Sequence, residues 1–330
     1  MIFGPVPITK ATGAVLAHSM MSAAGRVPKG TILTGAHVTD LAAQGHDTLV
    51  VARLEAGDIE EDAAATALSQ ALVPDPEGQG LRIAPAGAGR VNLYATGPGV
   101  VRIDIGAVTA LNTVDPMITL ATVAPFHRVE DGTMIATIKI ISYAVSEADL
   151  GAACSAASGA LSVMAPRFGT ATLIETQVGD AVPANKGRAA LAGRLDRLGL
   201  SLGARVIVAH KTAPLAEAIR QAEGEVVFIL TASATSDLHD VAPEGLRMAG
   251  GSVGVFGMPV DPGNLLFIGA RGDTPVIGLP GCARSPALNG ADWVLERLIC
   301  GVRLGQAEIS AMGVGGLLKE IPTRPRPRAT

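Results

Sequence analysis

The sequence predicts an α/β protein: a C-terminal three-layer domain with a mostly parallel sheet, preceded by smaller α+β and β-rich regions. Three observations carry this. From residue 165 onward, apolar β-like runs alternate with helix-period segments, the mark of a parallel sheet covered on both faces. Between Val226 and Cys300, three apolar runs each end in small, turn-forming residues. The composition, 48% apolar and 3% aromatic with 40 glycines, suits helices packed closely on sheets. At 330 residues the chain has material for two or three domains.

Residues 1–73 read as a first α+β unit. Within it, 13–19 is a short strand or turn and 25–30 a hairpin-like connection. Residues 39–45 form a short helix stopped by Gly45, and 48–54 a strand. Asp58-Ile59-Glu60-Glu61 has the form of a capping box opening a helix to about Leu72. The polar, Pro/Gly-containing stretch 73–80 reads as a linker and first boundary. Residues 81–145 are a β-rich middle region with strands at 90–95, 99–105 and 133–141 and at most a helical turn at 108–112. Ser146 to Asp149 caps a small-residue helix running to about Met164. In the third domain, 165–303, a strand at 169–176 precedes a helix over 187–198 with Leu191, Leu195 and Leu198 at 3–4 spacing. A strand at 204–210 and a helix at 214–222 lead into the 226–300 stretch. The tail, 304–330, ends in Pro-Thr-Arg-Pro-Arg-Pro-Arg, an extended cationic segment.

Composition excludes several classes. A net charge of −4 with few aromatics offers neither the basic field nor the stacking platforms of a nucleic-acid binder. Cys154, Cys282 and Cys300 show no CxxC and no zinc spacing, and read as small apolar core residues in a reducing cytoplasm. The N-terminus lacks the pattern of a signal peptide, and no apolar run reaches membrane-spanning length.

The candidate site lies in the turns that follow the 226–300 runs: 231–237, 261–264 and 279–285. Ligands of open α/β sheets bind beyond the carboxyl ends of the strands. Small residues there let backbone amides approach an anion, and a following helix N-terminus favours one. Ala232, Ser233, Pro262, Gly263, Asn264, Pro280, Gly281 and Cys282 are the small or turn-forming positions. Thr235, Ser236 and Ser285 add hydroxyl donors and Arg284 a guanidinium fork. Each turn alone also reads as an ordinary strand-to-helix connection, and Asp240 as a simple helix cap.

Together these motifs resemble the molybdopterin-binding domain shared by MogA and MoeA (gephyrin-type) proteins. In that family a strand ends in Gly-Gly-x-Ser-x-Gly followed by Asp. The matching turn here runs from Ala232 through Ser233, Thr235 and Ser236 to Asp237, with Asp240 at the place of the family Asp. A Pro-Gly-Lys-Pro motif corresponds to Pro262-Gly263-Asn264-Leu265, and Leu-Pro-Gly-Asn-Pro to Leu279-Pro280-Gly281-Cys282-Ala283. The wording from Pro280 to Leu298, with the tail from Met312 to Pro322, is similar to bacterial proteins in which such a region precedes a MocA-like nucleotidyltransferase.

The resemblance implies a ligand, molybdopterin or its adenylated or cytidylated form, with its phosphate on the strand-end loops. It also implies Mg²⁺ at Asp237 or Asp240 as the catalytic metal site, and a homo-oligomer. A separate cytidylyltransferase or a molybdoenzyme would be the protein partner. The departures concern catalysis. The Gly-Asp-Glu-Leu motif of MoeA enzymes falls where this chain has Gln177-Val178-Gly179-Asp180, leaving Asp180 as the one candidate acid there. Asn264 replaces the motif lysine. A carrier is therefore the first expectation, a MoeA-like molybdopterin molybdenumtransferase the alternative, and an unrelated nucleotide-binding α/β protein the third.

Overall fold

In the computed structural model of the chain, residues 1–318 are described, and the fold divides into two compact units. The cationic stretch expected near the end of the tail lies outside the described residues. The first unit comprises Met1–Gly97 and Val101–Val163; the second comprises Pro98–Val100 and the chain from Met164 onward.

The first unit opens with β1 (Ile2–Pro7), β2 (Val15–Leu16), the hairpin β3 (Met20–Ser22) and β4 (Gly25–Val27), α1 (Gly35–Ala43) and β5 (Thr48–Arg53). The main sheet has the order β1-β5-β2, and Leu16, Leu33, Leu41 and Leu49 close a core with it. Of the hairpin connection expected at 25–30, residues 25–27 are themselves strand β4, paired with β3 across a bend at 23–24, and a turn follows at 28–30. Helix α1 starts earlier than its sequence pattern suggested because Thr34 caps it. Thr34 Oγ1 accepts from His37 N (3.3 Å) while His37 Nδ1 accepts from Thr34 N (3.2 Å), a capping box built with histidine.

Next come β6 (Asp58–Glu60) and α2 (Glu61–Leu72). The capping box expected to start at Asp58 is displaced, because Asp58 binds the N-terminal amine (2.8 Å) and the Glu55 amide (2.7 Å). Glu60 caps α2 instead, accepting from Asp62 N and Ala63 N. The stretch read as a linker holds the short helix α3 (Pro76–Gln79). Gln79 Nε2 donates to Leu72 O (3.0 Å) and Leu161 O (2.6 Å), which draws 73–80 into the unit instead of leaving it between domains.

The rest of the unit runs β7 (Leu81–Ile83), β8 (Arg90–Ala95), β9 (Gly99–Ile103), α4 (Ile105–Asn112), β10 (Ile118–Thr122), β11 (Arg128–Val129), β12 (Met134–Ile140), β13 (Ala144–Ser146), α5 (Glu147–Ala156) and β14 (Leu161–Met164). Strands β10-β12-β8-β7 make an antiparallel sheet, and α2 packs on β8 and β12. The supposed turn at 108–112 is the end of a full helix, capped by Asp104 accepting from Ala107 N (2.9 Å). Helix α5 stops at Ala156, short of Met164. The chain turns at Gly159, which has a left-handed φ of 66°, and its last residues become strand β14.

The second unit carries β15 (Thr170–Gln177), α6 (Lys186–Asp196), β16 (Ser201–Leu202), β17 (Val206–Ala209), α7 (Thr212–Arg220), β18 (Val226–Leu230), α8 (Val241–Met248), β19 (Ser252–Phe256), β20 (Phe267–Arg271), β21 (Thr274–Gly278), α9 (Gly290–Ile299) and α10 (Gln306–Ala311). The sheet order is β16-β15-β18-β21-β20-β19, with β17 also on β15. Strands β16, β17, β15, β18 and β21 are parallel, while β20 and β19 are antiparallel. The reason is connection length. Gly272 and Asp273 alone join β20 to β21, and no helix separates β19 from β20, whereas a parallel pair needs a crossover. Val227 and Ile229 face α7 and α8 in one core with Leu215, Ile219 and Leu246. The alternate residue Leu230 meets α6 on the other face, giving three layers. Among the described residues, no helix is long and apolar enough to cross a membrane.

Two outcomes follow from this packing. A Cβ on Gly278 would lie 2.0 Å from the Phe267 ring paired across the sheet, so Gly278→Ala should cost about 1–3 kcal/mol in urea unfolding. Burial pushes the Cys300 thiol up to about 12. A raised folded-state value means the thiol contributes stability in full below the ordinary thiol range. That contribution is lost as pH rises from about 9 toward 12. Cys300→Ala should therefore show a shallower loss of stability over that window.

Candidate functional site

From β15 the chain runs outward through α6 to the β16/β17 edge, then returns past β15 through α7 to β18. Connections leaving β15 and β18 therefore depart in opposite directions, and the crevice between their carboxyl ends is a topological switch point. A cavity of about 470 Å³ opens there. Its wall comes from Thr176 to Val178 at the end of β15, Ala181 to Ala184, Lys186 and Gly187 at the start of α6, Ala232 after β18, and Arg284 after β21.

Hydrogen bonds hold these loops in register. Ala232 N donates to Thr176 Oγ1 (2.8 Å), which also contacts His210 Nδ1 (2.9 Å). Arg284 Nη2 donates to Thr231 O (2.5 Å), joining the 231–237 and 279–285 turns and leaving its other N–H groups available among the described residues. Arg205 grips the buried Glu175 through Nε (2.7 Å) and Nη2 (3.2 Å), and Nη2 also donates to Pro183 O (2.5 Å), tying down the loop before α6. Asn185 precedes α6 without a side-chain cap, so the first amides of that helix have no side-chain acceptor from the N-cap. Gly187 allows the close approach: a Cβ there would lie 2.6 Å from Leu230 Cδ2 and 3.2 Å from Arg284 Cγ.

Behind the turn sits Arg194, 4% exposed and paired with Asp292, 5% exposed (Nε–Oδ1 2.6 Å). Arg194 Nη1 donates to Ala283 O (2.8 Å), and Nη2 to Ser285 O (2.8 Å) and Ala287 O (3.3 Å). Asp292 Oδ2 also accepts from Asn289 N (2.9 Å) and so caps α9.

Of the residues singled out in the sequence, Ala232 and Arg284 line the cavity. Thr235 is buried beside the crevice, its hydroxyl 3.4 Å from that of Thr231. Ser233 and Ser236 are exposed. Asp240 accepts from Ser236 N (3.1 Å) and Val241 N (2.7 Å), and Asp237 from His239 N (2.8 Å). Both acids organise their own turn, and neither lines the cavity. Asp180 is exposed and likewise outside the lining. Among the described residues, no group of three or more His, Cys, Asp or Glu side chains is placed to hold a metal.

The 261–264 turn docks elsewhere. Pro262 follows a cis peptide bond and its O accepts from Gly290 N (2.8 Å) at the start of α9. Gly263 (φ 142°) lies against Gly290, where a Cβ would come within 2.7 Å. Asn264 Nδ2 reaches Met258 O (3.4 Å). Pro280 O accepts from Ala283 N (3.0 Å), Gly281 is exposed, and Ser285 Oγ accepts from Ala287 N (3.3 Å). Burial raises the Cys282 thiol, with Arg194 opposing and Asp261 and Asp292 reinforcing. Sequence reading missed Thr176, Lys186, Arg194 and the Glu175–Arg205 pair. None sits in a motif, and the one available signal was position, at a strand end or helix start.

Residues 5–53 match a family model described as a domain of unknown function (DUF8806). Nothing among curated proteins matches. Among solved structures, the chain is similar to the crystal structure of the molybdopterin biosynthesis MoeA protein from Pyrococcus horikosii, at 15% identity and a TM-score of 0.31. The likeness covers 91% of this chain and 75% of that one. A likeness at that level carries no functional inference.

Breaking the Arg194–Asp292 pair by Arg194→Met should destabilise the protein by about 3–5 kcal/mol, because a buried carboxylate and three carbonyls lose their partner. Chemical denaturation measures this; a change under 1 kcal/mol would contradict the geometry.

Proposed function

We propose that this protein binds molybdopterin, or a nucleotide form of it, and presents it to another protein. The observation that carries the reading is the cavity at the β15/β18 switch point. There Arg284, Lys186, the Ala232 loop and the uncapped start of α6 converge on a space suited to a phosphate. The sequence resemblance supplies the pterin. The motif lysine is missing at Asn264, and the cations of the cavity come from Arg284 and Lys186 instead.

Carriage fits the donor set better than turnover. The cavity wall offers cations and amides but no carboxylate. Asp237 and Asp240, the residues that would hold a Mg²⁺, accept hydrogen bonds from their own turn and lie outside the cavity wall, so they do not fit a metal on the bound phosphate. The cofactor would supply the phosphate and the metal-binding chemistry; the chain's own residues bind and orient it. A separate cytidylyltransferase or an apo-molybdoenzyme is the protein partner on this reading, in a cytoplasmic homo-oligomer.

Titration of the whole protein with molybdopterin, alongside AMP, CMP and inorganic phosphate, tests the proposal. Arg284→Ala and Lys186→Ala should each weaken molybdopterin binding about 10–100-fold, as expected for loss of a charge-assisted contact. Unchanged affinity in both variants would falsify the cavity as the phosphate site. Equal or tighter binding of AMP or CMP would favour a nucleotide-binding protein. Mg²⁺- and molybdate-dependent release of AMP from adenylated molybdopterin would favour the molybdenumtransferase.

A further inference from the structure

A second cavity, about 550 Å³, lies wholly within the first unit. Its wall holds the ion pair of Lys139 and Glu61, from β12 and the start of α2 (3.4 Å), both half-buried. Lys139 Nζ also donates to Ala88 O (2.5 Å). Ala88 adopts a left-handed φ of 51°, unusual for a residue with a side chain, and this conformation accompanies the carbonyl's contact with the ammonium. Gly89 lets the turn come that close, since a Cβ there would sit 2.5 Å from Glu61 Oε2 and 2.8 Å from Lys139 Nζ. Around the mouth stand Phe3, Met117 and Ile141, exposed to 56%, 41% and 54%. Lys29 joins the wall, exposed and without a side-chain partner among the described residues.

We propose that this cavity is a small-molecule site, distinct from the one above, for a ligand with a flat apolar body and one anionic group. Glu61 neutralises one of its two lysines, and the N-terminal amine is already matched by Glu55 and Asp58. Lys29 is the lining cation that has no acidic partner among the described residues, while Glu55 and Asp58 hold the amine from outside the cavity wall. Lys139 uses two of its three donors on Glu61 and Ala88, and the third remains for the ligand. The apolar rim supplies the body's contact surface, and the volume is that of an ordinary ligand pocket. Burial raises Glu61 above the usual carboxylate range with Lys139 opposing, as at polar groups kept in a partly desolvated cleft.

Calorimetric titration of the full chain with 1-naphthyl phosphate tests this. One molecule should bind per chain, and 1-naphthol or inorganic phosphate alone should bind at least about tenfold more weakly. Lys139→Met, Lys29→Met and Phe3→Ser should each weaken binding about tenfold or more, while Arg284→Ala leaves it unchanged. Lys139→Met exposes Glu61 to the loss of its partner, so Lys29→Met, at an exposed position, provides the variant whose fold is not in question. Absence of binding to the parent protein, indifference to both lysine variants, or loss in Arg284→Ala would overturn the proposal. The last result would assign the probe to the cavity of the second unit.

Discussion

The second unit depends on one buried guanidinium. Arg194 directs its donors to Asp292 and to the carbonyls of Ala283, Ser285 and Ala287. A cation so placed is tolerated because nearly every N–H finds an acceptor and the charge is matched by Asp292. Its consequences spread along the backbone. The 283–287 segment is fixed, Arg284 projects toward Thr231 O and the cavity, and Asp292 orders the first turn of α9. The start of α9 in turn holds the Pro262 turn through Gly290 N. Two of the three small-residue turns are thus organised from a single hydrogen-bonded pair on the side of the loop away from solvent.

The same architecture separates cations from carboxylates. At the switch point the chain exposes amides, a guanidinium and an ammonium. The carboxylates nearby are turned to structural work: Glu175 holds Arg205, Asp240 caps α8, and Asp237 closes its own turn. The described wall is therefore electropositive, with its ionisable side chains limited to Lys186 and Arg284.

Most of the α/β alternation was legible because periodicity reports which side of an element is buried. The strand and helices from Thr170 to Arg220 fall within a few residues of their sequence pattern. Two misread boundaries share a cause. Asp58 and Gln79 bind groups remote in sequence, the N-terminal amine and Leu161 O, and those bonds move a cap and draw a linker inward. The antiparallel half of the second sheet was legible in principle, since short connections without helices leave no room for a crossover.

For the site, the sequence by itself determined the kind of chemistry. Small residues at strand ends expose backbone amides, and Arg284 follows them, wherever the loops lie in space. Tertiary structure decided which of those residues share a cavity. The order β17-β15-β18-β21 sets the carboxyl ends of β15 and β18 side by side, so Thr176 and Lys186 join Ala232 and Arg284 while the Pro262 turn is carried to α9. Strand order is fixed by long-range pairing and side-chain packing, and local sequence spacing does not encode it.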